Sequence, residues 1–175
     1  MRVIGGTARG RPLRAKLPTS VRPTTDYARE AIFSMLESRG GLHGLVVADL
    51  FCGSGAMGIE ALSRGADLVY FVDVDRVCLA AAAENLAPLG LGGRAVFVQA
   101  LLPRWSPPAG LDLVLADPPY GPLELSALLE GVVAGRVVVE NDRFMVPPPG
   151  WRVTKEKRYG TTLVTMLEPT SGDLP

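Results

Sequence analysis

The ten residues "DLFCGSGAMG" (49–58) decide the fold class, because they join the end of a buried strand to the start of a helix. The segment "LVVADLF" (45–51) is typical of a strand, and "AMGIEALSRG" (56–65) is typical of a helix. Between them Gly53, Gly55 and Gly58 form a literal G-x-G-x-x-G. This order of strand, glycine-rich turn and helix predicts a Rossmann-like α/β unit that binds a nucleotide-containing cofactor.

The alternation of strands and helices continues along the chain. Further strands are predicted in "LVYFVDVD" (68–75), "RAVFVQA" (94–100), "LDLVLADPP" (111–119) and "RVVVEND" (136–142). Further helices are predicted in "RPTTDYAREAIFSMLESRG" (22–40), "RVCLAAAAENLAPLG" (76–90) and "LELSALLEGV" (123–132). The final segment, "WRVTKEKRYGTTLVTMLE" (151–168), predicts an antiparallel pair at one edge of the sheet. Together these segments predict a mostly parallel sheet with helices on both faces.

Composition and length indicate one globular domain of ordinary size. The chain has 175 residues, of which 47% are hydrophobic and 21% charged. No apolar run reaches transmembrane length, and the N-terminus lacks the apolar block of a signal peptide. Cys52 and Cys78 have neither metal-ligand spacing nor the pattern of a disulfide framework. We therefore expect a cytoplasmic monomer with no bound metal and no membrane contact.

Short apolar pieces alternate with Gly and Arg over residues 1–22 and predict an N-terminal hairpin or extended arm, followed by a globular unit, residues 23–175. Residues 1–29 carry a net charge of +6, whereas residues 30–150 carry −7. A cationic hairpin or extended arm on an anionic body suits a polyanionic partner, although a solvated extension would give the same pattern. The candidate phosphate-binding side chains of the arm are Arg9, Arg11, Arg14, Lys16 and Arg22. A second basic group lies near the far edge, at Lys155, Lys157 and Arg158.

Two carboxylates near the glycine turn bear on the choice of cofactor. Asp73 follows Gly53 by twenty positions, at the spacing of a carboxylate that holds ribose hydroxyls. Asp49, four residues before Gly53, would repel the pyrophosphate of a dinucleotide but attract the ammonium and sulfonium of S-adenosylmethionine. Asp49 could instead simply cap the turn. The charges favour S-adenosylmethionine as the cofactor.

The stretch "DPPY" (117–120) ends the strand that begins at Leu111. An exocyclic amine is a poor nucleophile, because its lone pair is delocalised into the base. A carboxylate at Asp117 and a backbone carbonyl fixed by Pro118 could orient such an amine, and the Tyr120 ring could stack on its base. Asp-Pro-Pro is also ordinary turn chemistry, so the glycine turn beside it is needed for the functional interpretation.

With "RPTTDYAREAIFSML", "DLFCGSGAMGIEALSRGA", "DPPY" and "RYGTT" in this order, the sequence resembles the RsmD family over nearly its whole length. These are bacterial methyltransferases of small-subunit ribosomal RNA. The resemblance implies methylation of the N2 amine of a guanine in 16S rRNA, with S-adenosylmethionine as cofactor. The expected partner is 16S rRNA, either within an assembling small ribosomal subunit or as naked RNA. It also implies a seven-stranded class I methyltransferase sheet with an N-terminal β-hairpin arm.

Carried onto this sequence, the family's pattern places the cofactor against the glycine turn and the two strand ends beyond it. The implied contacts are Asp49, Phe51, Gly53, Gly55, Asp73, Val74, Gln99, Ala100 and Asp117. The resemblance implies that Asp117, Pro118 and Tyr120 handle the target base, and that Arg22, Thr24 and Asp26 lie over the cofactor. The family usually has an acidic residue near the adenine amine, where this chain has Gln99-Ala100.

Two other activities share parts of this pattern. An adenine-N6 DNA methyltransferase would use the same Asp-Pro-Pro-Tyr, although 175 residues leave little room for a target-recognition domain. An NAD-dependent oxidoreductase would use the glycine turn but would have no use for "DPPY". A non-enzymatic RNA-binding module would leave Asp49, Gly53 and Asp73 unexplained.

Overall fold

The computed structural model describes residues 1–15, 17, 26–102, 105–119 and 125–170. Its four α-helices within these ranges are α1 Asp26–Glu37, α2 Ala56–Ser63, α3 Arg76–Leu86 and α4 Leu125–Leu129. The strands are β1 Val46–Leu50, β2 Leu68–Asp73, β3 Ala95–Gln99, β4 Leu111–Ala116, β5 Ala134–Asn141, β6 Trp151–Tyr159 and β7 Thr162–Pro169. None of the helices in the described ranges is both long and apolar enough to span a bilayer.

The seven strands form one sheet in the order β3-β2-β1-β4-β5-β7-β6. Strands β1 to β5 are parallel, and β7 runs antiparallel to both β5 and β6. The predicted sheet and its antiparallel edge pair are therefore confirmed. Because β1 lies between β2 and β4, the carboxyl ends of these three strands meet at one edge, where ligands of such sheets collect.

Apolar side chains alternate between the two faces of the sheet and meet helices on both. Helices α1, α2 and α3 pack on one face through Ile32, Ile59 and Ala82, against residues such as Phe71 and Leu115. Helix α4 covers the other face, where its leucines pack with alternate residues of β4 and β5. The predicted helical stripe of α1 is confirmed, with its members all buried: Ala28, Ile32, Met35 and Leu36.

Several elements begin or end at other residues than predicted; for example, helix α3 ends at Leu86 instead of residue 90, and strand β4 ends at Ala116 instead of residue 119. Strand β5 begins at Ala134, two residues before the predicted start, because it pairs with β4 from Leu111 onward. Helix α4 ends at Leu129 instead of residue 132, and Gly131 adopts the left-handed conformation with φ 71°. A glycine in that conformation is a common end to a helix.

The described part of the N-terminal arm folds back onto the domain. Its two halves meet in an isolated antiparallel bridge between Arg2 and Pro12, and Val3, Ala8 and Leu13 are buried in the core. Of the two predicted forms, the short hairpin is therefore correct for residues 1–15 and the extended arm is wrong. A hydrophobic anchor of three residues fixes this hairpin against the face of the sheet that carries α2.

Candidate active site

Backbone hydrogen bonds tie the loops at the carboxyl edge of the sheet together. The Cys52 N–H donates to the Val72 carbonyl of β2 over 3.1 Å. The Asp117 N–H donates to the Leu50 carbonyl of β1 over 3.4 Å. The glycine turn, the end of β2 and the Asp-Pro-Pro segment consequently form one continuous rim, as predicted from the parallel sheet.

The glycine turn is built from left-handed residues. Phe51, Gly53 and Gly55 have φ angles of 60°, 51° and 75°. Phe51 is the only non-glycine residue with positive φ in the described ranges, and such a conformation is costly for an aromatic residue. The sharp reversal of the chain brings the turn directly to the amino end of α2.

Two of the three glycines are required by packing within the domain. A Cβ at Gly55 would lie 2.7 Å from the Cβ of Ala82, and a Cβ at Gly58 would collide with the ring of Phe71. These glycines let α2 approach β2 and α3 closely, which is one of the recognised roles of the motif. A contact between the Gly53–Gly55 backbone and a ligand stays a prediction.

Asp49 lies beneath the turn and not at its lip. Its side chain is only 2% exposed, and its Oδ2 accepts a hydrogen bond of 2.8 Å from the Gly58 N–H. This contact matches the alternative that Asp49 caps the turn. Burial raises the pKa of Asp49 well above its ordinary value, and the nearby charges of Asp117 and Asp73 raise it further.

Asp73 organises the end of β2 through both of its carboxylate oxygens. Its Oδ2 accepts from the Gly53 N–H over 3.0 Å, and its Oδ1 accepts from the Asp75 N–H over 2.9 Å. Asp75 in turn caps α3 by accepting from the Val77 N–H. The predicted cap at Asp75 is confirmed, whereas the ribose contact of Asp73 stays a prediction.

Val74 and Gln99, which are among the predicted cofactor contacts, are both exposed, and the Gln99 amide is hydrogen-bonded. Val74 is 55% exposed. The Gln99 Oε1 accepts from the Arg76 Nε over 2.7 Å, and the Gln99 Nε2 donates to the Val74 carbonyl over 3.1 Å. Ala100 donates its N–H to the Asp73 carbonyl. The Gln99 amide is therefore held by its neighbours, and its contact with an adenine stays a prediction.

The Asp-Pro-Pro segment extends beyond β4 at the centre of this rim. Asp117 is half-buried, Pro118 is buried and Pro119 is exposed. Asp117 is close enough to Asp49 for its charge to raise the Asp49 pKa, so the two carboxylates share one region of negative potential. Tyr120 lies outside the described residues.

The family model described as "Conserved hypothetical protein 95" matches residues 1–168 of the chain. The chain belongs to this family.

Its relatives carry the name expected from the sequence motifs. It is 37% identical to the Bacillus subtilis protein "Putative rRNA methyltransferase YlbH", over 96% of this chain and 92% of that protein. It is 33% identical to "Ribosomal RNA small subunit methyltransferase D" of Escherichia coli strain K12, over 91% and 85% respectively. These matches confirm the resemblance to the RsmD family.

A solved structure with the same fold covers the whole domain. The structure titled "Putative methyltransferase yhhF from Escherichia coli" superposes with a TM-score of 0.79 at 31% identity, covering 98% of each chain. Together with the strand order, this match confirms the class I S-adenosylmethionine-dependent methyltransferase fold.

The carboxylates at the rim fit the cofactor for which this fold is named. Asp49 is the penultimate residue of β1, Asp73 ends β2 and Asp117 follows β4 directly. Burial raises the Asp49 pKa, and the charges of Asp117 and Asp73 raise it further. The Asp49 and Asp73 charges also add to the burial that raises the pKa of the Cys52 thiol, so Cys52 remains protonated. A region of negative potential suits a sulfonium and an ammonium and repels a pyrophosphate. Cys52 is a buried packing residue, as expected.

Some of the residues predicted to bind phosphates or to lie over the cofactor are within the described ranges, and others are not. Arg9, Arg11 and Arg14 are all exposed, and the Arg11 guanidinium also donates to the Pro88 carbonyl over 2.8 Å. Lys16, Arg22 and Thr24 lie outside the described residues. Asp26 begins α1 and pairs with Arg29 at 2.9 Å. RNA contacts by Arg9, Arg11 and Arg14 stay predictions.

Sequence analysis missed two buried polar residues that shape the site. Glu60 on α2 accepts hydrogen bonds of 2.7 Å from the N–H groups of both Ile4 and Gly5, and so fixes the N-terminal hairpin. Asn85 on α3 accepts from the Ala15 N–H and donates to the Ser54 carbonyl in the glycine turn. Since both partners are distant in sequence, no local pattern could have identified these roles.

Proposed function

We propose that this chain transfers a methyl group from S-adenosylmethionine to the N2 amine of a guanine in 16S rRNA of the small ribosomal subunit. The observation that carries the proposal is the position of Asp117. It follows β4 directly, and its N–H donates a hydrogen bond to β1. It is also close enough to Asp49, which lies beneath the glycine turn, for its charge to raise the Asp49 pKa. A carboxylate that orients an amine and a turn that binds the cofactor thus lie on one rim.

The chain's own residues would position the reacting amine. The Asp117 carboxylate would accept a hydrogen bond from one N–H, and the carbonyl of the rigid Pro118 segment would accept from the other. This arrangement turns the nitrogen lone pair out of the plane of the base. When bound, S-adenosylmethionine supplies an electrophilic methyl group on a sulfonium. As the nitrogen bonds to the methyl carbon, the bond from that carbon to sulfur would break with its electron pair left on sulfur, and the nitrogen would pass one proton to the adjacent Asp117 carboxylate.

The glycine turn would hold the cofactor through backbone groups and charge. Asp73, which orients the Gly53 N–H, would accept hydrogen bonds from the ribose hydroxyls. Asp49 would contribute negative potential from beneath the turn, because its exposure of 2% leaves little surface for a direct contact. The same potential disfavours the oxidoreductase alternative, whose cofactor carries a pyrophosphate.

The choice of guanine as the target base and of RNA as the nucleic acid rests on the family match. The Asp-Pro-Pro-Tyr motif does not decide it, since the motif also suits an adenine-N6 DNA methyltransferase. The relatives named above are rRNA methyltransferases, and one is named for the small subunit. An assembling subunit is the substrate we favour over naked rRNA. These matches support RNA over DNA as the methyl acceptor.

The test supplies labelled S-adenosylmethionine together with 16S rRNA, or small subunits, that lack this modification. We expect label in RNA, and N2-methylguanosine after digestion and mass spectrometry. In a parallel reaction that supplies DNA in place of RNA, label in adenine would support the alternative activity. In a reaction that supplies NADH in place of S-adenosylmethionine, NADH-dependent turnover would overturn the methyltransferase proposal. S-adenosylhomocysteine should raise the melting temperature of the protein, and NADH should not.

The role of Asp117 is tested separately by Asp117→Ala. We expect this variant to lose methyl transfer while it still binds S-adenosylhomocysteine. The matched control is Asp67→Ala, because Asp67 is an exposed carboxylate at the opposite edge of the same sheet. Loss of cofactor binding in Asp117→Ala, or retained transfer, would remove Asp117 from the role of orienting the amine.

A further inference from the structure

A second surface at the carboxyl edge of the sheet is not used by the proposed mechanism. Residues 142–150, which connect β5 to β6, border a cavity of about 420 Å³. Phe144 and Val146 on this connection are 72% and 87% exposed, although both are apolar. We call this surface the β5–β6 pocket, and its described lining includes Asn141, Arg143, Phe144, Met145, Pro147 and Pro148.

The strand register places this pocket beside the Asp-Pro-Pro segment. Ala116, at the end of β4, pairs with Val139 of the parallel strand β5. Extending the same register by two residues sets Pro118 beside Asn141, which lines the pocket. Neighbouring strands lie about 4.8 Å apart, so the pocket begins roughly one strand spacing from the segment that would hold the reacting base. A nucleotide next to the target base could therefore reach it.

The chemistry of the lining suits a nucleobase. Phe144, Met145 and the prolines provide flat apolar surface, and the cavity volume falls within the range of small-molecule sites, about 300–1,000 Å³. The Asn141 amide at the end of β5 adds a polar group in the lining. Unpaired bases are bound in this way, by stacking on an exposed ring and by polar contacts at their edges.

Positive charge lies next to the exposed ring. The Arg158 guanidinium lies over the Phe144 ring, 5.9 Å from its centroid. The exposed Arg143 pairs with the adjacent Asp142, its Nε 2.8 Å from Asp142 Oδ1. Exposed pairs of this kind contribute little stability and can be exchanged for a phosphate contact. The Phe144 ring, the Asn141 amide and the two arginines together favour a nucleotide over an apolar protein segment as the ligand of the pocket.

We propose that the β5–β6 pocket binds an unpaired nucleotide of the RNA substrate that flanks the methylated base, with Phe144 as its stacking platform. This inference rests on the proposed function, because it requires an RNA substrate at Asp117. It assigns to Phe144 a part in substrate specificity, since only RNA with a free base next to the target would fill both positions. Arg143 and Arg158 would contact the backbone phosphates of that nucleotide.

The test compares the wild-type protein with Phe144→Ala and Phe144→Tyr, using unmodified 16S rRNA or small subunits and saturating S-adenosylmethionine. Stacking of a base on an aromatic side chain contributes about 1–3 kcal/mol, which corresponds to roughly 5- to 150-fold in binding. We expect Phe144→Ala to raise KM for the RNA by about 10-fold or more, with a smaller change in kcat. Phe144→Tyr keeps the ring and should restore KM. Binding of S-adenosylhomocysteine and the salt dependence of RNA binding should not change in either variant.

A spectroscopic measurement reports on stacking itself. Phe144→Trp should show quenched tryptophan fluorescence when the RNA is added, because a base stacks on the indole ring. The matched control is Val133→Trp, since Val133 is 47% exposed and lies immediately before β5, at the other end of that strand from the pocket. Its fluorescence should not change.

Several outcomes would overturn the inference while the proposed function stands. In one, Phe144→Ala transfers methyl groups with the same KM for RNA as the wild-type protein, and the tryptophan fluorescence of Phe144→Trp is not quenched when RNA is added. Another is a dimer of the wild-type protein that Phe144→Ala converts to a monomer with unchanged RNA affinity, which would assign the surface to a second copy of this chain. By contrast, a wild-type protein that methylates no RNA would overturn the proposed function itself.

Discussion

The Asn85 side chain donates a hydrogen bond of 3.0 Å to the Ser54 carbonyl, and thereby joins α3 to the glycine turn. The same side chain accepts a hydrogen bond of 2.9 Å from the Ala15 N–H, at the end of the N-terminal hairpin. Asn85 is only 3% exposed. One buried amide therefore links the segment proposed to meet RNA with the turn proposed to meet the cofactor.

We expect Asn85→Ala to weaken binding of S-adenosylhomocysteine and to lower the melting temperature. The substitution leaves the Ser54 carbonyl without this partner, and an unsatisfied buried polar group costs about 1–3 kcal/mol. Calorimetric titration and thermal unfolding measure the two effects. Glu84→Ala is the control, because Glu84 is exposed on the same helix. Asn85→Asp keeps an acceptor for Ala15 but loses the donor to Ser54. Full affinity in that variant would show that the Ser54 bond does not shape the site.

The buried carboxyl of Asp49 predicts a pH-dependent stability. Its pKa is raised well above the ordinary value of 3.8, chiefly by burial. The folded protein thus holds this proton more tightly than the unfolded chain, so the stabilisation is complete below the ordinary pKa and is lost as pH rises through the folded pKa.

Asp49→Asn cannot ionise, so this variant does not lose stability as pH rises through the folded pKa of Asp49. It keeps an oxygen that can accept a hydrogen bond from the Gly58 N–H. We expect its gain in melting temperature to be larger at pH 8 than at pH 5, by roughly 2–4 °C for each kcal/mol regained. Above the folded pKa of Asp49, binding of S-adenosylmethionine should weaken in this variant, since the negative potential beneath the turn is reduced. An equal change in melting temperature at both pH values would contradict the raised pKa. Unchanged cofactor affinity would contradict the electrostatic role.

The strands and helices could be predicted because each carries its own periodicity. Mostly apolar runs such as "LVVADL" form the inner strands β1, β2 and β4, and the helices between them are amphipathic or buried. The roles of Gly55 and Gly58 were harder to predict. In the sequence these glycines indicate close approach of a ligand, whereas the structure shows close approach of Ala82 and Phe71. Contacts of that kind depend on how a helix lies on the sheet, which no local pattern specifies.

The Gly58 contact leads to a substitution test. In Gly58→Ala the new Cβ would collide with the Phe71 ring and lie 2.9 Å from the Val69 Cγ1, so α2 or β2 would have to move. Overpacking of a core typically costs about 1–3 kcal/mol, and we expect a loss of that size in chemical denaturation. Gly92→Ala is the control, because nothing lies within 4 Å of its added Cβ. Equal stability of the two variants would contradict the packing role of Gly58.

Glu60 connects α2 to the N-terminal hairpin and compensates buried positive charge. Its side chain is fully buried, with Oε1 2.8 Å from the Arg64 Nε and Oε2 3.9 Å from the Nε of the fully buried Arg29. Removing one partner of a buried pair typically costs about 3–5 kcal/mol.

We expect Glu60→Ala to lose stability of that order and to expose residues 1–15 to proteolysis and hydrogen exchange. The matched control is Glu37→Ala, because Glu37 pairs with the same Arg64 at 3.4 Å but is 47% exposed. Such a surface pair contributes at most about 1 kcal/mol. Similar losses in the two variants, or an N-terminal segment that remains protected in Glu60→Ala, would contradict the anchoring role.

The docked hairpin also identifies which of its arginines to test for RNA binding. Arg9, Arg11 and Arg14 are all exposed, but the Arg11 guanidinium already donates to the Pro88 carbonyl. If Arg9 and Arg14 both contact phosphates, the double variant Arg9→Ala with Arg14→Ala should weaken RNA binding and reduce the slope of log K against log salt by about 2. Filter binding across a series of salt concentrations measures this slope. Arg39→Ala, which removes an exposed arginine outside the hairpin, should leave the slope unchanged. An unchanged slope in the double variant would mean that the positive charge of the hairpin does not contact the RNA backbone.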